Sequence, residues 1–163
     1  MCSSDLVTVE SAGTVSLNFN RPNEAYSGYF ALRLEDANGV TLASFTDSTD
    51  PQTFTVGVTQ AGTYYARVAS YYSSSFYNGQ YSLTATHAAG SSAGYESESN
   101  DTRATADAVT LGSAITGQLA SAIDVDYYAV KVESAGTVSL NFNRPNEAYS
   151  GYFALRLEDA NGV

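Results

Sequence analysis

The feature that most constrains this chain is a stretch that occurs twice. Residues 9–40, VESAGTVSLNFNRPNEAYSGYFALRLEDANGV, return letter for letter at 132–163, an offset of 123 positions. The match continues back across one difference, Thr8 against Lys131, to Val7 and Val130. A period of that length exceeds the roughly 20–50 residues of a solenoid unit and implies one domain per repeat. The expectation is a tandem array, entered partway through one copy and left partway through the next. Any function then belongs to the repeat unit, which is long enough to bury its own core.

The unit predicts strands and turns. Hydrophobic residues make up 44% of the chain and charged residues 15%, a globular balance. Thirteen Tyr and thirteen Gly, with abundant Ser, Thr and Val, favour β structure. Period-2 alternation predicts strands at 108–111, 113–119, 126–133 and 137–143, the last with Val138, Leu140 and Phe142 on one face. Its first-copy counterpart carries Val15, Leu17 and Phe19. Further strands are expected at 29–35 (Phe30, Leu32 and Leu34 inward), 40–45, around Phe54 and Val56, at 63–70, and around Tyr81 and Leu83. Asp36-Ala37-Asn38-Gly39 is a hairpin signal. No stretch has period 3.6. These features predict an all-β fold, an antiparallel jelly-roll-like β-sandwich.

The repeat also divides the chain. Residues 1–6, MCSSDL, match no position of DVDYYA at 124–129 and are expected to be a foreign scar, excluded from fold reasoning. Residues 7–87 are then a first copy lacking its opening strands. Residues 88–95 are a small-residue linker. Residues 96–163 are a second copy lacking its later strands. Between them, 8–130 hold one whole period in permuted order. Segments 113–119 and 126–132 are therefore expected to dock onto the first copy's sheets, leaving 137–163 as a poorly packed partial copy.

Charge narrows the function. A net charge of −10 and a pI near 4.2 oppose nucleic-acid binding and suit divalent cations. No apolar run approaches the roughly 18 residues of a membrane span. With Cys2 in the scar and His87 the sole His, zinc-type sites lack ligands. In an extended segment Glu96, Glu98 and Asn100 point to one side, roughly 7 Å apart. With Asp101 and a distant Asp they supply the oxygens that calcium requires. The alternative is a solvated acidic linker. Asn100-Asp101-Thr102 is also a glycosylation sequon. Gly90-Ser91-Ser92-Ala93-Gly94 fits G-x-S-x-G but sits in the linker, without the helix a nucleophile elbow needs, so no enzyme is expected. Among the late aromatics, Tyr65, Tyr72 and Tyr77 are candidates for an exposed polymer-binding strip; the alternative is ordinary strand surface.

The series Glu98-Ser99-Asn100-Asp101-Thr102, Gly117-x-Leu119, Asp124-Val125-Asp126-Tyr127-Tyr128, Ala135-Gly136-Thr137-Val138, Gly62-Thr63-Tyr64-Tyr65-Ala66-Arg67-Val68 and Tyr81-Ser82-Leu83 resembles the bacterial pre-peptidase C-terminal domain. The resemblance covers the whole period in order. It implies a non-catalytic jelly-roll sandwich of a secreted or cell-surface protein. The collagen-binding domains of bacterial collagenases belong to the same family. Through them it implies calcium held by Glu96, Glu98, Asn100 and Asp101, completed by Asp124 or Asp126. The expected role is a calcium-stabilised spacer or adhesive module whose partners are neighbouring repeats. The rival is a peptidase accessory domain that holds an extracellular polymer such as collagen or polysaccharide.

Overall fold

The computed structural model of the chain describes residues 3–20, 30–47, 52–70, 81–121, 123–143 and 153–163. The described residues contain strands and turns and no helix. They fall into two units, Met1–Lys131 and Val132–Val163.

In the first unit, alternation becomes strand wherever a partner is available. β1 (Ser3–Val9), β6 (Gly62–Ser70), β3 (Phe30–Glu35) and β4 (Thr41–Asp47) form one antiparallel sheet in that spatial order. β5 (Gln52–Val58), β2 (Gly13–Asn20) and β7 (Ser82–Ala89) form a second antiparallel sheet, with β2 central. Every second residue of β2 is inward: Val15, Leu17 and Phe19 are buried. Between them, Ser16 and Asn18 face outward and bond Thr55 and Thr53 of β5 at 2.7 and 2.6 Å. Val7 and Val9, Leu32 and Leu34, Leu42 and Ala43, Val56 and Val58, and Tyr64, Ala66 and Val68 complete one core fed by both sheets. Tyr81 also belongs to it, its ring 5.3 Å from Phe19. The fold is an all-β sandwich, and residue-by-residue burial of this kind is what its alternation requires.

The hairpin at 36–39 forms as expected, and the linker begins later than expected, since β7 runs to Ala89. Residues 3–6, part of the segment read as a foreign scar, extend β1, with Ser3 opposite Val68 and Leu6 opposite Tyr65. An edge strand is held by backbone N–H and C=O groups, which any side chain supplies. Leu6 remains 65% exposed, so its side chain contributes little to the core. Having that strand in place also decides the fate of 126–132. It does not enter the large sheet beside β6, because β1 already stands there. Only β9 (Tyr128–Val130) forms, pairing in parallel with β8 (Asp107–Val109). Segment 113–119 is likewise no strand and contributes a single bridge, Thr116 to Tyr95. It still reaches the sandwich, but through hydrogen bonds at a sheet edge, Gln118 Nε2 donating to Ser44 O at 2.6 Å.

In the second unit no strand forms among the described residues. Leu140, Phe142, Phe153, Leu155 and Leu157 are all exposed.

Candidate metal centre

The acidic segment is positioned by its attachment to the sandwich. After β7 the chain turns at Gly90, and Tyr95 N donates to Ser92 O. Thr116 N then donates to Gly94 O at 2.8 Å, and Glu96 N to Thr116 O at 2.9 Å. The segment lies over β5 so closely that a Cβ on Gly57 would stand 2.7 Å from Glu96 O. Across the other sheet, Ser44 Oγ donates to Ala120 O at 2.8 Å. The run is therefore anchored on both sheets, which a solvated linker would not be.

On that frame Glu98, Asp124 and Asp126 converge. One carboxylate oxygen from each lies within 4.8 Å of the other two. Both aspartates belong to the cluster, where the resemblance left the choice between them open. Glu98 Oε1, Asp126 Oδ1 and Asn100 Oδ1 are buried and accept no hydrogen bond. Asn100 is wholly buried, and its Nδ2 donates to Asp107 Oδ2 at 3.2 Å. That bond fixes the amide orientation and leaves Oδ1 unpaired. Asp107 also accepts from Ser97 N at 2.8 Å and Ser97 Oγ at 2.7 Å, so it holds the run in shape from behind. It stands apart from the acidic run in sequence, at the start of β8, and no spacing rule pointed to it.

Glu96 differs from its expected role. It is only 3% exposed and both of its oxygens are engaged. Oε1 accepts from Gln118 N, and Oε2 accepts from the Tyr128 hydroxyl at 2.6 Å. Gly117 permits this approach, since a Cβ there would collide with the Tyr128 hydroxyl and the Glu96 carboxylate. Glu96 thus ties 96, 118 and 128 together and stands outside the trio. Asp101 is exposed and lines a groove beside the trio with Val40, Thr41, Glu98, Ala120 and Asp124. Asp124 keeps one oxygen on Ala120 N.

Electrostatics mark the cluster as short of positive charge. Burial, then the charges of Asp124 and Glu96, push the Glu98 carboxyl up to about 8. Burial raises Glu96 to about 7 against the pull of its Tyr128 and Gln118 hydrogen bonds. Asp126 moves the same way through burial and Asp124. Burial and the Glu96 carboxylate raise the Tyr128 hydroxyl as well. Crowded carboxylates relieve this either by binding protons or by binding a cation.

The other candidate sites resolve simply. Gly90 to Gly94 leads into a turn and the bridge at Tyr95, with no helix after it. His87 lies on β7 opposite Val15. Tyr65 sits on β6 with its ring partly exposed, whereas Tyr72 and Tyr77 lie outside the described residues. Among the described residues no helix is long and apolar enough to cross a membrane. No family model matches this chain, and no curated protein matches it.

Proposed function

We propose that the chain is a non-catalytic β-sandwich module of a secreted or cell-surface bacterial protein, stabilised by calcium and serving as a spacer or adhesive repeat. The observation that carries the metal reading is the trio of carboxylates with oxygens within 4.8 Å of one another, two of which, Glu98 and Asp126, have a buried unpaired oxygen, as does the neighbouring Asn100. Calcium–oxygen bonds of roughly 2.3–2.6 Å put opposite ligands on one ion about 4.6–5.2 Å apart. The trio fits within that sphere. An all-oxygen donor set favours calcium or magnesium over zinc or copper. Glu98, Asp124 and Asp126 would hold the ion, with Asn100 Oδ1 as a neutral donor beside them. A bound divalent cation would offset the burial and the mutual repulsion that raise the carboxyl pKa values, and so hold residues 95–131 on the sandwich.

The test is thermal melting of the 163-residue chain in millimolar calcium and in chelator. Calcium should raise the midpoint by mass action on the folded state. Glu98→Gln removes a ligand together with a carboxyl that burial and its acidic neighbours push up to about 8. It should raise the midpoint in chelator and flatten the response to calcium. A wild-type midpoint that ignores calcium defeats the reading.

A further inference from the structure

We infer that residues 126–163 can replace residues 3–40 in the sandwich, so that this chain encodes two alternative topologies built on one core. The observation is the contrast between two identical stretches. Leu17, Leu32 and Leu34 are 0–2% exposed in the first unit. Their counterparts Leu140, Leu155 and Leu157 are 46–61% exposed in the second, where no strand forms among the described residues. The ladders that would cover the second set are those of β5 and β7 for 136–143, and of β4 and β6 for 153–158. Those ladders match the incoming residues side chain for side chain, and the β2–β3 connection has the same sequence in both copies.

The exchange leaves the central packing unchanged, because each buried residue of β2 and β3 is replaced by itself. Only the edge differs. Asp126 to Val132 would take the register of Ser3 to Val9 against β6, placing Tyr128 opposite Ala66 where Asp5 now stands. Aromatic and β-branched residues suit a strand better than the Ser-Ser-Asp they displace. Against this, the exchanged state gives up the β8–β9 pairing and the Tyr128–Glu96 hydrogen bond, and it draws Asp126 out of the carboxylate trio, so bound calcium opposes the exchange. It also opens the 36–40 turn as the link into β4. The gains and losses are a few edge contacts on each side, while the large core term cancels. Two such states lie close in free energy. The path is long enough: segment 90–125, at roughly 3.3 Å per residue, spans any edge of a sheet about 15 Å wide. Within one molecule the exchange incurs no association entropy. Between two molecules it would incur that cost for the same contacts, so the partner is the chain itself.

The experiment uses the full chain, with and without calcium, in four forms: unsubstituted, Leu17→Asp, Leu140→Asp and the double variant. A buried aspartate in β2 destroys whichever topology contains it. Leu140→Asp should melt like the unsubstituted chain. In chelator, Leu17→Asp should keep a cooperative transition within several degrees of it, while slow amide exchange moves from 13–20 to 136–143; in calcium the gap should widen, because Asp126 has left the trio. The double variant should lose the transition. A Leu17→Asp chain as unfolded as the double variant overturns the inference. So does one that stays folded with protection still at 13–20, or a transition that appears only at high protein concentration.

Discussion

At the scale of single residues, Asp36 shows how much one side chain decides locally. Its Oδ1 accepts from Asn38 N and Val40 N, both at 2.8 Å, and Oδ2 from Asn38 Nδ2 at 3.1 Å. Gly39 completes the turn at φ 83°, a conformation open to glycine at little cost. Partial burial opposes ionisation of Asp36. The hydrogen bonds from Val40 and Asn38 outweigh it and hold the carboxyl below its ordinary range. Each charge-assisted bond contributes about 1.5–3 kcal/mol. Asp36→Ala should therefore lower the exchange protection of the Val40 amide about tenfold or more, read by NMR. The sign of the pH effect follows from the lowered pKa. Protection that depends on Asp36 is complete above the ordinary carboxylate range and disappears as pH falls through the folded value. In the alanine variant that acid loss should vanish.

At the scale of elements, the seat of residues 95–96 on β5 is the test case. Gly57 is flanked by inward Val56 and Val58, so its missing side chain points outward, beneath Glu96 O, Tyr95 Cβ and Ser92 Cβ. Gly57→Ala should push the acidic segment off β5. The expected cost is about 1–3 kcal/mol, as for other overpacked sites. Because the same segment carries Glu98, the calcium response should weaken with it, and melting in calcium and in chelator would show both effects. This seat was not legible from the sequence. Alternation identified β2, β3 and β6 because each has one buried face. It assigned strands at 113–119 and 126–133 on the same ground and overestimated both. A strand also needs an open edge, and the edge beside β6 is taken by β1. Glu98, Asn100, Asp124 and Asp126 were legible as oxygen-bearing residues in a run. Asp107 was not, since its role comes from the fold returning the start of β8 to Ser97 and Asn100.

At the scale of the whole molecule, a net charge of −10 on 163 residues opposes compaction through self-repulsion. Added sodium chloride should raise the melting midpoint by screening, since the Debye length falls from about 30 Å at 0.01 M to about 10 Å at 0.1 M. Calcium at matched ionic strength should raise it further, because a site binds rather than screens. Equal shifts from the two salts would assign the whole effect to screening.

The duplicated stretch separates what sequence determines from what tertiary structure decides. Asp-Ala-Asn-Gly-Val folds into the same turn in both copies. Asp159 Oδ1 accepts from Asn161 N at 2.8 Å and Val163 N at 3.0 Å, and Gly162 adopts φ 86°. Every bond of that turn lies within five residues, so the sequence alone is sufficient for it. Thr-Val-Ser-Leu-Asn-Phe-Asn is a central strand in one copy and no strand in the other. Its ladder partners lie on β5 and β7, tens of residues away in the chain. Ordering a strand costs about 1–2 kcal/mol of backbone entropy per residue. Only cross-strand bonds and a buried face offset that cost, and among the described residues one set of ladder partners serves two identical claimants.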